Sequence, residues 1–371
     1  MTGKFLHIVS FNVPYPPDYG GIIDVYNKLK SLTEAGIQII LHCFSYGRKP
    51  SKELEGICFK VYYYPRHSGL KYYFTPTPYI VSTRNSESLA ENLLKDSFPV
   101  LFEGLHTTGL MERCKNANKK ILYRAHNIEH AYYHFLSKSE KNLFRKLFLK
   151  SESVKLRRYE EVLKFADEIL CISKHETEYF EKKFGRANFI PAFHKSRNIS
   201  IKEGSGDYIF YHGNLSVAEN SEALKYIIRQ IVSKTVYRFI VAGKDPSKKL
   251  VAWLNKYDGV ELVPNPDEET LHELISNAQI NILLTFQSTG LKLKLLHSLF
   301  SGRHCIVNPM MVEGTGLEEE CHVVTTSDLA VRMVKLLMGT PFTENDIVKR
   351  KKVLAGYSNR ENSEKIIRLL D

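Results

Sequence analysis

Residues 280–307 read INILLTFQSTGLKLKLLHSLFSGRHCIV, and this stretch decides the fold. It opens on an apolar run, Ile280 to Leu284, of the length of a buried strand. A polar, glycine-bearing turn follows, and then a leucine-rich helical pattern that ends at Gly302. A second apolar run, 303–307, closes the stretch. Strand, helix and strand in so short a span form a βαβ unit with parallel strands.

The same alternation extends in both directions. In the second half, strands are expected at 207–211, 237–242, 259–263, 280–284 and 303–307. The helix at 221–233 places Ala223, Leu224, Ile227, Ile228 and Ile231 on one face. In the first half, strands are expected at 5–10, 37–44, 59–64, 99–102, 119–123 and 168–172. Such alternation indicates an α/β protein with parallel sheets. The segment Lys195 to Gly206 is polar and without long apolar runs, and reads as an interdomain linker. The expected division is 1–195 and 205–358. A final amphipathic helix, 359–371, carries Ile366, Ile367, Leu369 and Leu370.

A chain of 371 residues is long for one core, which also argues for two domains. Its 43% apolar and 25% charged residues are those of a globular protein. No apolar run is long enough to span a bilayer, and residues 5–10 read as a first strand rather than a leader. Cys43, Cys58, Cys114, Cys171, Cys305 and Cys321 show no metal-ligand spacing; they read as small buried groups in a reducing compartment. The net charge of +11 favours anionic partners. Much of it lies in 138–164, where lysines and arginines interleave with leucine and phenylalanine. A basic amphipathic surface of that kind suits an anionic membrane. No nucleic-acid-binding motif is present, so nucleic acid is not an expected partner.

In doubly wound sheets the ligand crevice lies beyond the carboxyl ends of the strands, and the polar residues there are the candidate site. After the first strand comes Pro14-Tyr15-Pro16-Pro17-Asp18-Tyr19-Gly20-Gly21, followed by a helix from Ile22 to Leu32. Gly20 and Gly21 permit close backbone approach, and the helix start offers free N–H groups to an anion. After two further strands come Glu103-Gly104-Leu105-His106 and Arg124-Ala125-His126-Asn127-Ile128-Glu129-His130. His126 suits proton transfer or a sugar hydroxyl. His126 and His130 have metal-compatible spacing but no third ligand in sequence. In the second half, Gly213 and Asn214 close a strand. Thr289, Gly290 and Leu291 open the helix carrying Lys292, Lys294 and His297, a pattern for cradling an anionic phosphate. The two lysines are expected to point in different directions. Glu313-Gly314-Thr315-Gly316 adds another glycine-rich turn.

These blocks, with Ile172-Ser173 and Val241-Ala242-Gly243-Lys244, resemble in order the GT-B glycosyltransferases of family 4, across nearly the whole chain. The resemblance implies a GT-B fold, with two Rossmann-like domains whose parallel sheets face an interdomain cleft. It implies retaining transfer of a sugar from a nucleoside-diphosphate donor without a metal or other cofactor. His126 would contact the transferring sugar, and Lys292 or Lys294 would neutralise the leaving diphosphate. Donor contacts would come from Gly20, Gly21, Gly213, Asn214, Gly243, Thr289, Gly290, Leu291 and His297. Acceptor-side residues would be Glu103, His106, Arg124, Asn127 and Glu129. The acceptor would be a glycan or a lipid-linked sugar, in a cytoplasmic protein that sits peripherally on the inner membrane face through 138–164. The final helix would cross back to the first domain.

The chain departs from the family pattern at four positions. Thr289 and His297 stand where many members carry a pair of acids, and Asn214 and Glu219 where many carry an arginine and a lysine. Alternative readings are a non-catalytic GT-B partner protein and a nucleotide-sugar epimerase of the same fold.

Overall fold

The computed structural model describes residues 4–196, 198–286 and 292–370. The chain divides into two compact units, one of residues 1–193 with 359–371 and one of 194–358.

The first unit is built on seven parallel strands: β1 (Phe5–Ser10), β2 (Gln38–Ser45), β3 (Lys60–Pro65), β4 (Val100–Glu103), β5 (Ile121–Ala125), β6 (Glu168–Cys171) and β7 (Ala187–Phe189). Their order is β3-β2-β1-β4-β5-β6-β7. The strands are nearly continuous apolar runs because helices cover both faces of the sheet. Side chains alternate between the faces. Val100, Phe102, Ile121, Tyr123 and Ala125 enter one core, and Leu101 and Leu122 enter the other, beside Val25, Leu29 and Leu32. The helix Gly20–Glu34 lies on this second face. The closing helix Asn359–Arg368 joins it there, with Ile366 buried in the same core. Ser363 and Ser31 hydrogen-bond through their hydroxyls at 2.7 Å, and Asn362 Nδ2 donates to the Pro191 carbonyl.

The second unit holds six parallel strands: β8 (Tyr208–Asn214), β9 (Arg238–Lys244), β10 (Val260–Pro264), β11 (Ile280–Leu283), β12 (His304–Val307) and β13 (His322–Val323). Their order is β10-β9-β8-β11-β12-β13. Gly243 is needed for this packing: a Cβ there would lie 2.3 Å from the Gly213 carbonyl oxygen and 2.6 Å from Leu215 Cγ.

Both sheets reverse direction of winding once. The reversal falls between β1 and β4 in the first and between β8 and β11 in the second. The carboxyl ends of those strands are where an open α/β sheet binds ligands. Among the described residues, no helix is long and apolar enough to cross a membrane.

Candidate functional site

At the reversal point of the first sheet, alternation carries Glu103 and Arg124 to the face covered by the Gly20–Glu34 helix. That helix presents Asp24 and Lys28, one turn apart. Lys28 Nζ donates to Asp24 at 2.9 Å and to Glu103 at 2.6 Å. Arg124 Nη2 donates to Asp24 at 2.9 Å, and Nη1 to the Ile190 carbonyl at 2.6 Å. All four charged side chains are fully buried. Burial alone would raise both carboxyl pKa values. Arg124 and then Lys28 outweigh it at Asp24, and Lys28 and then His126 at Glu103, so both groups are held below the usual carboxylate range.

Glu103 is the link from this cluster to the candidate sugar contact. Its second oxygen pairs with His126 Nε2 at 2.9 Å. Ionised Glu103 can only accept, so His126 donates from Nε2 and its other ring nitrogen, Nδ1, is left over. That Nδ1 is buried and has no hydrogen-bond partner among the described residues. The Phe11 ring lies against His126 (5.5 Å, edge-on) and His106 (5.3 Å). A Cβ on Gly21 would meet the tip of that ring at 3.0 Å, so this glycine makes room for Phe11. Burial, Arg84 and His126 push the His106 pKa well below its ordinary value, and its Nδ1 is also buried without a partner among the described residues. Gly20 begins the helix, and no side chain caps it. Beside this loop a cavity of about 440 Å³ is lined by Tyr15, Pro16, Asp18, Arg48, Lys49 and Ser51.

Two expectations for this unit are corrected. Arg124 offers nothing to an acceptor: its nitrogens are spent on Asp24, Ile190 and Pro191, and it is wholly enclosed. Glu103 is likewise enclosed and acts through His126. His126 and His130 do not converge, because His130 Nε2 turns to the Tyr179 hydroxyl at 3.0 Å. Asn127 hydrogen-bonds Glu129, which is buried and whose carboxyl burial pushes up to about 7. Donor atoms of Asp24, Glu103 and His126 lie within 4.8 Å of one another, close enough for a metal ion. Lys28 and Arg124 already neutralise those carboxylates, so a dication would have to displace two cations. The cluster fits an ion-pair network better than a metal centre.

In the second unit the corresponding reversal point gathers a separate group of candidate residues. The helix Leu293–Ser301 follows Lys292, its N-cap residue. Lys294 Nζ donates to Asn220 Oδ1 at 3.2 Å and sits 5.8 Å from the centre of the Tyr211 ring. Asn220 Nδ2 in turn donates to the Asn214 carbonyl at 2.9 Å, which ties the lysine to the end of β8. Burial lowers the Lys294 pKa to about 8, Glu219 opposing and Lys292 assisting. Lys292 is also lowered by burial, with Glu219 and Glu313 opposing. Both lysines therefore feel the Glu219 carboxylate, where helical spacing alone would have them diverge. Glu219 accepts a short hydrogen bond from the Thr285 hydroxyl, and Asn308 clamps the Thr285 backbone from beyond the end of β12.

Two further expectations are corrected here. The Asn214 side chain is engaged in its own turn, its Oδ1 accepting from the Ser216 backbone and hydroxyl at 3.0 and 2.7 Å. Gly243 is buried and serves the packing described above. Gly213 stays partly exposed, and a Cβ there would touch only Asn220, at 3.4 Å. His297 lies against the rings of His212 and His272, and burial drives its pKa down to about 4. It is a neutral imidazole at physiological pH. Thr289, Gly290 and Leu291 lie outside the described residues. Asp24, Lys28, Phe11 and Asn220 belong to no motif that the sequence displays. Asp24 and Lys28 show in advance only as a charged pair at i, i+4 in the helix after the first strand, and Phe11 and Asn220 show no signal.

Residues 206–338 match the family model described as "Glycosyl transferases group 1". A Klebsiella pneumoniae protein described as an uncharacterized 44.6 kDa protein in the cps region is 25% identical over 340 residues, covering 86% of this chain and 87% of that protein. Among solved structures, a glycosyltransferase from Rickettsia africae aligns with a TM-score of 0.67 at 13% identity, covering 100% of this chain and 98% of that one. Anabaena HepE in complex with UDP and glucose aligns at 0.65 and 10% identity, over 99% of both chains. An E. coli trehalose-6-phosphate protein bound with UDP-2-fluoro glucose aligns at 0.64 and 9% identity, also over 99% of both chains. These likenesses show the fold: two Rossmann-like units of the GT-B kind.

Proposed function

We propose that the protein is a glycosyltransferase that moves a sugar from a nucleoside-diphosphate donor to a glycan or lipid-linked acceptor, in surface-polysaccharide synthesis. The observation that carries this reading is the match of 206–338 to the glycosyltransferase family, which spans the segment bearing Lys292 and Lys294. Neighbours of the same fold hold UDP and sugar ligands, and the relative in a cps region supports the polysaccharide role.

In this reading the second unit binds the donor and the first binds the acceptor. The acceptor oxygen bonds to the anomeric carbon as the bond from that carbon to the diphosphate oxygen breaks. The hydroxyl proton passes to the departing diphosphate on the same face, so configuration is retained, as in family 4, and no metal is required. Charge building on the diphosphate is met by Lys294 and Lys292, the kind of preorganised electrostatic stabilisation that usually dominates such chemistry. His126 receives a hydroxyl of the transferring sugar on Nδ1, with Glu103 fixing its tautomer.

A second reading, a non-catalytic relative, is favoured by Glu219, whose charge competes with a diphosphate for both lysines. Thermal-shift titration with UDP, GDP, ADP and their sugars, with and without magnesium, separates the two, because a ligand that binds only the folded state raises Tm. The transferase reading requires stabilisation by one nucleotide class that magnesium does not alter, and release of that nucleotide when an acceptor is added. Absence of stabilisation by all of them overturns it.

A further inference from the structure

The first unit carries an apolar surface that its own core does not use. On the helix Leu143–Tyr159, the face bearing Glu152 and Leu156 is buried against the unit. The opposite side exposes Leu143 (65%), Phe144 (83%), Leu147 and Val154. Leu143, Leu147 and Val154 are spaced i, i+4 and i+11, so they form one stripe.

A second element extends this stripe. The short helical turn Leu70–Phe74 leans on the same helix: the Tyr73 ring lies 5.1 Å from that of Phe148, and Lys155 Nζ donates to the Tyr73 carbonyl at 2.8 Å. This turn buries none of its residues and leaves Leu70 at 78% and Phe74 at 84% exposed. Two separate segments thus present their largest apolar side chains to solvent, braced against each other, where a water-facing surface would carry polar ones.

Apart from the half-buried Glu140, which accepts from the Asn142 N–H at the start of the helix, the charges beside the patch are of one sign. Lys71 stands next to Leu70. Lys146, Lys150 and Arg157 run along the helix flank at i, i+4 and i+11. Lys138, Lys141, Arg145 and Arg158 are exposed as well. The acidic side chain within the helix, Glu152, is buried and engaged by the Tyr79 backbone and Lys155. A soluble helix normally mixes signs on its exposed face; this one pairs bulky apolar groups with unopposed cations, the composition that lies in the headgroup region of an anionic bilayer.

We propose that this surface, formed by 70–74 and the first half of the 143–159 helix, docks the protein on an anionic membrane. Phe74, Phe144 and Leu147 enter the acyl boundary, while Lys71, Lys146 and Lys150 meet lipid phosphates. Leu156 and Leu163, in the second half of the basic stretch, take no part, because they are built into the core. This goes beyond the transfer reaction and does not depend on it.

Flotation of the full chain with vesicles of phosphatidylcholine alone, or with one phosphatidylglycerol in three, tests the proposal. The protein is expected to float with the anionic vesicles only, and to be released as salt is raised. The F74S/F144S and K146E/K150E variants are each expected to lower the bound fraction at least tenfold, with unchanged circular dichroism, since all four positions are exposed. Equal binding to both vesicle types, binding to neither, or unaltered binding of the variants overturns it. So does a concentration-dependent dimer in sedimentation velocity that F74S/F144S abolishes, which would assign the patch to a second copy of the chain.

Discussion

Replacing Glu103 with glutamine removes one of two negative charges from a buried site that also holds two positive ones. In the native unit Asp24 and Glu103 balance Lys28 and Arg124, all fully enclosed. The ion pair that suffers most directly is Lys28 Nζ to Glu103, at 2.6 Å. At an effective dielectric of about 20, Coulomb's law gives that pair roughly 6 kcal/mol before desolvation is charged against it. Breaking a buried pair from one side usually costs about 3–5 kcal/mol, because the remaining charge stays buried without its partner. E103Q is expected to lose that amount, and K28M a similar amount for the opposite reason. The double variant K28M/E103Q keeps the Asp24–Arg124 pair and restores neutrality. It should be more stable than either single variant, with a coupling energy of at least about 2 kcal/mol. Urea unfolding at pH 7.5, followed by far-ultraviolet circular dichroism, measures this. Fluorescence of Trp253, the one tryptophan in the chain, reports the other unit. A loss below about 1 kcal/mol in E103Q, or additive losses in the double variant, would refute the reasoning. Both carboxyls are depressed in the folded state, so their stabilisation is present above the unfolded value near pH 4 and fades as pH falls below it. The gap between wild type and E103Q should therefore close in acid.

Two other perturbations test the electrostatic assignments. Lys294, lowered to about 8, must be protonated to meet a diphosphate, so affinity for the stabilising nucleotide should fall by up to about tenfold per pH unit above pH 8. Isothermal titration from pH 7 to 9.5 should show that slope flattened in K294M; a slope unchanged in the variant removes Lys294 from the diphosphate site. Glu129 is raised to about 7, so its contribution to stability declines as pH rises from about 4.5 to 7 and stays lost above that. E129Q should match wild type near pH 4 and exceed it by up to about 3 kcal/mol at pH 8, read from the Tm; a lower Tm at pH 8 would show the ionised carboxylate to be stabilising.

The strands are legible because burial on both faces writes them as continuous apolar runs: 5–10 and 168–172 announce β1 and β6 almost to the residue. β7 and β13 leave no such trace because they are short edge strands that are only partly buried. The polar blocks are legible as sequels to strands: His126 follows the end of β5, and Lys294 lies in the helix after β11. What surrounds them is not legible. Asp24 and Lys28 look in sequence like a solvated i, i+4 pair, and only tertiary packing turns them into the base of Glu103. Arg124 looks like a ligand group for the converse reason: nothing in its neighbours reveals that the carbonyls of Ile190 and Pro191, far along the chain, will consume it. Asn214 and Gly243 similarly have local tasks, a turn and a close contact, that sequence spacing cannot separate from ligand binding.

The closing helix Asn359–Arg368 sets an order on biosynthesis. Its Ile366 completes the core begun by Leu29 and Leu32, yet it leaves the ribosome only after all of 194–358. At about 5–20 residues per second, the first unit waits roughly ten seconds to half a minute with one side of its core open to water. During that interval the nascent chain is a client for holding chaperones. A contiguous fragment ending at residue 193 stays in that condition permanently, whereas a circular permutant with 359–371 placed ahead of residue 4 would finish the unit before the second begins.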